Sequence, residues 1–297
     1  MKSHMNRQDA LTEALHRLER FTTLSPFTRL FYRMIRDMLA QEAVDAPKLG
    51  QAYHVFLRSE CRRHEAAGQL VRQGKLDARR VIRASRDSQD MMERLRRGLE
   101  ATEVAEPLSR MVRELLLAEC HYHLGQTEQV VAHLKRAVRL GGHHPLVHFA
   151  LGYNTYSLAV QQHTRAGRRK GELLAVDLDA LRRGCREAII AFEAGLGDTA
   201  YDAQLYWWIG MIWEMLGEQT KALESYRAAM ETDPEHFGAQ GAEKMQSLGA
   251  PPRLRSQEEA ERLCRLGPIS DEELELSKAA IQRARTFPGF FRNDGGA

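Results

Sequence analysis

The sequence predicts an all-α protein, and three observations carry the prediction. Apolar residues recur at three- and four-residue spacing along most of the chain, Ala, Leu, Arg, Glu and Gln are abundant while β-branched runs are few, and the prolines are only nine in 297 residues. Unbranched side chains lose little rotamer freedom in a helix, and that spacing lines apolar groups along one helical face. A 43% hydrophobic share at this length suffices for one or two domains with sizeable cores.

From Asn6 to Phe21 the stripe Leu11, Leu15, Leu18 predicts a first helix. Ser25-Pro26 offers a cap followed by proline at the first helical position, opening a second helix to about Ala43. Asp45-Ala46-Pro47 opens a third, with Tyr53, Phe56 and Leu57 on one face and Gln73-Gly74-Lys75 at its end. An Arg-rich fourth helix runs from about Leu76 to Leu99, and Pro107 then begins a stretch in which the pattern repeats.

The clearest repeat is 203–236, which reads Tyr206-x-x-Ile209-Gly210-x-x-Trp213, then Gly217, Ala222, Tyr226, Ala229 and Pro234. Small residues at 210, 222 and 229 let two antiparallel helices approach closely, Tyr206, Trp213 and Tyr226 fill the space between turns, Gly217 makes the turn, and Pro234 ends the second helix. This unit resembles the tetratricopeptide repeat at nearly every signature position. Ala118, Gly125, Leu134 and Ala137 fit the same frame over about 111–144, and Ala118 and Gly152 stand 34 residues apart, the period of that repeat. The next unit begins after Pro145 with Leu151-Gly152, but its second helix, Ala188-x-x-x-Phe192, arrives late. Gly152 and Gly210 are 58 residues apart, so an insertion is expected within that pair, near 160–184. The resemblance covers about 111–236 and implies a tetratricopeptide-type α-solenoid of antiparallel helix pairs with extra N- and C-terminal helices.

Three regions are therefore expected: 1–105, an N-terminal helical region of degenerate repeats or a cap; 106–250, the repeats with their insertion; and 251–297, C-terminal capping helices and a tail. The stretch 237–248 is short and Gly-interrupted, which suits a reduced capping helix. Ser256-Gln257-Glu258-Glu259 and Ser270-Asp271-Glu272-Glu273 are capping boxes that each open a helix.

No stretch approaches the ~20 apolar residues of a membrane span, and Met1 to Asn6 lead into an amphipathic pattern without the apolar core of a secretory signal. A cytoplasmic location is expected. Cys61, Cys120, Cys185 and Cys264 stand far apart without Cys-x-x-Cys spacing and are expected as reduced core residues. The net charge of +3 conceals polarity: residues 58–99 carry 12 basic and 6 acidic side chains, residues 201–297 carry 11 and 16. That polarity could steer an acidic partner or join the acidic end of one molecule to the basic middle of another.

Tetratricopeptide stacks present the first helix of each pair on a concave groove. The resemblance places Leu115, Glu119, Tyr122 and His123, then Phe149, Tyr153 and Tyr156, then Trp207, Met211 and Met215 on that groove. Aromatic and Met side chains suit a peptide or helix as ligand. The competing expectation is that the chain's own segments fold over this apolar face. Where some family members clamp a terminal carboxylate with basic and amide groups, this sequence has Leu115, Phe149 and Trp207, so such a clamp is not expected.

The insertion reads as an exposed basic loop with Arg165, Arg168, Arg169 and Lys170, followed by an apolar-periodic stretch, Leu173, Leu174, Val176, Leu178 and Leu181. Clustered Arg and Lys can meet phosphates, though most such loops are only solvated. In the fourth helix Asp87, Asp90 and Glu93 interleave with the arginines and favour a salt-bridged surface helix. His121, His123, His133, His143, His144 and His148 are expected in surface or capping roles rather than on a metal.

A phosphate-cradling Gly loop, a nucleophile elbow, a His-Glu-x-x-His helix and paired carboxylates in an apolar setting are not found. No enzyme and no cofactor are expected. The expected function is a scaffold or adaptor holding a peptide or helix of a protein partner, with nucleic-acid or polyanion binding through the basic insertion and the Arg-rich helix, or self-assembly as a structural homo-oligomer, as alternatives.

Overall fold

The computed structural model describes residues 2–21, 26–41, 46–72, 78–166, 173–197 and 199–248. These residues form an all-α arrangement with one two-stranded antiparallel ribbon, and no described helix is long and apolar enough to cross a membrane. They divide into two compact units, the first ending at Gly142 and the second beginning at His143.

The first unit contains α1 (Lys2–Glu19), α2 (Pro26–Leu39), α3 (Ala46–Arg72), α4 (Ala78–Glu100), α5 (Pro107–His123) and α6 (Thr127–Arg139). Leu11, Leu15 and Leu18 of α1 are buried, as their spacing predicts. Phe56 of α3 takes the edge of the Tyr32 ring from α2 and stacks on Tyr53, while the Tyr53 hydroxyl donates to the Tyr32 carbonyl at 2.6 Å. Each such aromatic contributes about 1.5–3 kcal/mol by leaving water. In α4, Met92 and Leu99 point inward, while Arg96 bonds Glu93 and Glu100, both at 2.6 Å, and Arg97 reaches Glu93 at 3.1 Å. The C-terminal half of the Arg-rich helix is thus a salt-bridged surface.

The second unit contains α7 (Pro145–His163), the strands β1 (Thr164–Ala166) and β2 (Leu173–Ala175), then α8 (Leu178–Glu193), α9 (Asp202–Met215), α10 (Gln219–Thr232) and α11 (Pro234–Leu248). Pro234, expected to end α10, lies two residues beyond it and is the first residue of α11, where its missing N–H leaves no orphan. The Asp233 side chain caps α11 by accepting from the His236 amide at 3.1 Å.

The pairs α5–α6 and α9–α10 turn in the same way. Gly125 and Gly217 take φ of 73° and 78°, and the next amides reach back to close the turn, Gln126 to the His121 carbonyl and Glu218 to the Trp213 carbonyl, each at 2.9 Å. This is the Schellman arrangement, and only glycine takes that left-handed position without strain. Inside the pairs, small residues face large ones. A Cβ at Gly152 would stand 2.8 Å from the Phe192 ring, and one at Gly210 would stand 2.8 Å from the Tyr226 ring.

The described parts of the insertion pair with each other. Thr164, Arg165 and Ala166 pair with Ala175, Leu174 and Leu173, the Val176 amide donates to the His163 carbonyl at 2.8 Å, and Asp177 caps α8 by accepting from the Ala180 amide at 2.8 Å. The apolar stretch is divided by that cap: Leu173 and Leu174 are in a strand, Val176 is 65% exposed, and Leu181 is buried in α8. A Cβ at Gly184 would stand 2.5 Å from the Ala159 Cβ, so α7 and α8 stay in close contact beyond Gly152 and Phe192. The extra residues lengthen both helices and close the far end with a ribbon, which leaves the sides of the pair free to pack. The capping boxes at 256–259 and 270–273, Cys264 and the tail lie outside the described residues.

Gly210→Ala is expected to destabilise the second unit by about 1–3 kcal/mol, because the Tyr226 ring has no room to yield. Gly98→Ala in α4 meets nothing within 4 Å and should stabilise by about 0.5–1 kcal/mol through helix propensity. Chemical denaturation of the two variants checks both signs.

Candidate functional site

The ten groove residues fall in both units. In the first unit Leu115 is fully buried. Glu119 accepts from the Tyr32 hydroxyl of α2 at 3.4 Å, and His123 lies 3.6 Å from Glu60 of α3 and tilts against Phe56. The α5 face that carries them is therefore covered by α2 and α3, the chain's own helices. Tyr122, 49% exposed, meets His123 edge-on at its margin.

Beneath that cover is a cluster of ionisable groups. Glu60 is fully buried and accepts from Arg63 through both oxygens, at 3.1 and 2.6 Å. Burial opposes its charge, but Arg63 and His123 outweigh burial and hold its carboxyl down to about 2. Burial, with Arg63 adding, pushes His64 down to about 4, and burial likewise takes His123 to about 4, so both rings are neutral near pH 7. Burial, and then the Glu60 charge, push the Glu119 carboxyl up to about 8. Of two carboxylates near one histidine, one is ionised and one is protonated at neutral pH, a separation that composition alone does not reveal.

In the second unit Phe149, Tyr153 and Tyr156 of α7 gather around Trp208 of α9, with ring centroids 6.2, 5.2 and 6.2 Å away and the rings edge-on or nearly so. The Tyr156 hydroxyl donates to the Met215 Sδ at 3.4 Å. Phe149 and Trp208 are buried, whereas Tyr153, Tyr156, Met211 and Met215 remain partly exposed. Trp207 turns away from this seam and packs against Tyr226 of α10 and Phe237 of α11, at 4.8 and 5.2 Å. Trp208 is the central residue that the sequence reading missed. The repeat frame does not separate it from Trp207, since the residues in register with either tryptophan, Leu116 and Ala150 or Leu115 and Phe149, are all buried.

Of the basic loop, Arg165 lies in β1, partly buried, and its Nε finds no hydrogen-bond partner among the described residues. Arg168, Arg169 and Lys170 lie outside the described residues. On α8 Arg182, Arg183 and Arg186 are exposed.

The histidines depart from the expected surface roles. His144 does cap a helix, its Nδ1 accepting from the Leu146 amide at 3.1 Å. His121, His133 and His148 are buried instead. His133 is 2.8 Å from Glu114, His121 is 2.6 Å from Gln126, and the two rings stack at 4.9 Å. Such partners let polar rings enter a core that periodicity assigns to apolar groups. Among the described residues no group of three or more His, Cys, Asp or Glu could hold a metal ion. Cys61, Cys120 and Cys185 are buried and free, and burial pushes their thiols up to about 11, 12 and 12, which keeps them protonated.

The signs of these shifts fix a pH profile. Glu60, lowered from 4.5, contributes stability present above pH 4.5 and lost toward 2. His64 and His123, lowered from 6.5, contribute stability that is lost as pH falls from 6.5 toward 4. Glu119, raised from 4.5, contributes stability present below 4.5 and lost as pH rises toward 8. The first unit is therefore expected to be most stable near pH 6.5 and to lose about 1 kcal/mol by pH 8. Denaturation across pH 4–9 checks this, and Glu119→Gln should remove the alkaline fall and steepen the rise between pH 4.5 and 6.5.

Compared with protein-family models, characterised proteins and solved structures, the chain matches none, and the tetratricopeptide resemblance rests on its own residues.

Proposed function

We propose that this chain is a non-catalytic, cytoplasmic scaffold or adaptor built on tetratricopeptide-type helix pairs, whose second unit holds a peptide or helix of a partner protein along the seam of α7 and α9. The observation that carries the reading is a partly exposed pair, Tyr153 and Tyr156, seated on the buried Trp208, with Met215 accepting from the Tyr156 hydroxyl beside them. Rigid aromatic rings backed by a packed base, with adaptable Met beside them, make good anchors for an apolar side chain. The repeat assignment is supported by the matching turns at Gly125 and Gly217 and by the small-against-large contacts of Gly152 and Gly210. The groove on this reading is restricted to the second unit, because the α5 residues are covered by α2 and α3.

A second reading, polyanion binding, draws on the exposed Arg182, Arg183 and Arg186 at the end of the pair where the basic insertion begins. Phosphate contacts would make such binding fall steeply with salt.

Tyr153→Ser combined with Met211→Gln spares the core rings Phe149 and Trp208. This variant is expected to weaken capture of a protein partner from the native cell extract at least about tenfold while staying folded, its melting temperature lowered by only a few degrees. Undiminished capture by the folded variant would remove the seam from consideration. Loss of the captured material on nuclease treatment or in raised salt would favour the polyanion reading.

A further inference from the structure

Helix α2 is short, 14 residues, and packs against α5, where its Tyr32 hydroxyl donates to Glu119. It is held by Phe31, Tyr32, Met34, Ile35 and Leu39, all buried. Beneath it the charges balance in one state only. Glu60 and Arg63 cancel each other, and the buried His64 and His123 carry no charge near pH 7. Glu119, whose side chain keeps 18% exposure, fits into this balance only as a neutral carboxyl. The groups that face it are Tyr32 from α2, Tyr53, Glu60 and Arg63 from α3, and Cys120 and His123 on α5 itself. From α4, Arg96, Glu93 and Glu100 act on the neighbouring Cys120. Of these groups Arg63 is the nearby cation, and it is already engaged by Glu60 through both oxygens.

We propose that α2 is a proton-controlled cover: it stays closed while the Glu119 carboxyl beneath it is neutral and opens more often once that carboxyl ionises, uncovering Glu119 on the α5 face. An ionised Glu119 puts a second carboxylate beside Glu60 with no second cation facing the two among the described residues, and it needs water. Water can be admitted by moving α2 or α3. The 27-residue α3 packs along both α1 and α4 and carries the Glu60–Arg63 pair, so α2 yields. The apolar contacts of Phe31, Ile35 and Leu39 keep the closed form dominant on both sides of the transition, and the proton sets how often it opens. The proposal is independent of what the second unit binds.

Hydrogen exchange of the full chain at pH 6.5 and 8.5 tests it, with α10 amides correcting for the intrinsic pH dependence of exchange. Opening of α2 is expected to rise by more than about tenfold over that interval, and the rise should vanish in Glu119→Gln. Tyr32→Phe provides a second test. The Tyr32 hydroxyl favours the ionised carboxylate, so its removal should shift the onset to higher pH. The proposal is overturned if α2 amides follow those of α10 at both pH values, if Glu119→Gln shows the same rise, or if the Tyr32→Phe onset stays or moves down.

Discussion

The close approach of two helices within each pair is the constraint on which the second unit depends. Gly152 admits the Phe192 ring and Gly210 admits the Tyr226 ring, each at a distance that a methyl group would not allow. Because the first helix gives up a side chain at that point, the second can place a large ring there, and the density lost on one side is restored on the other. The arrangement fixes the rotation of both helices. Once Gly152 faces α8, Tyr153 and Tyr156 are directed to the neighbouring α9, where Trp208 receives them. The candidate binding row thus follows from a packing requirement one residue away.

The two units fill corresponding faces with different chemistry. On α7 the face is aromatic and partly open. On α5 it carries a glutamate and a histidine, and it is covered by α2 and α3 over a buried ion pair and a protonated carboxyl. A buried ion pair contributes little net stability, but it makes the local balance of charge sensitive to a single proton. Apolar seams lack that sensitivity. In one chain, an aromatic seam offers contact area while an ionisable seam offers a response to pH.

Much of the fold was legible in the sequence. The stripe Leu11, Leu15, Leu18, the prolines at 26 and 107 that open α2 and α5, and the 34-residue spacing of Ala118 and Gly152 each correspond to an element or a contact. The late arrival of Phe192 pointed to an insertion within a pair. Its form was hidden, because strands as short as Thr164–Ala166 and Leu173–Ala175 have too few residues for alternation to register. Trp207 and Trp208 were confused for a related reason: adjacent residues on a helix differ by about 100° in direction, so an error of one position exchanges a partly exposed ring for a buried one. The state of Glu119 could not be read at all, since it depends on Tyr32 and Glu60, 87 and 59 residues away along the chain. Local patterns report which face a residue occupies; only the assembled fold reports what charge stands opposite.

The central claim is that a protein partner lies on the α7–α9 seam. It is tested most directly by placing a photo-crosslinking amino acid at Met211 in one form of the chain and at Glu193, exposed on α8, in another, and irradiating living cells that carry each. The account predicts a discrete protein adduct from position 211 and none from position 193. Equal adducts from both positions, or adducts only to nucleic acid, would contradict it.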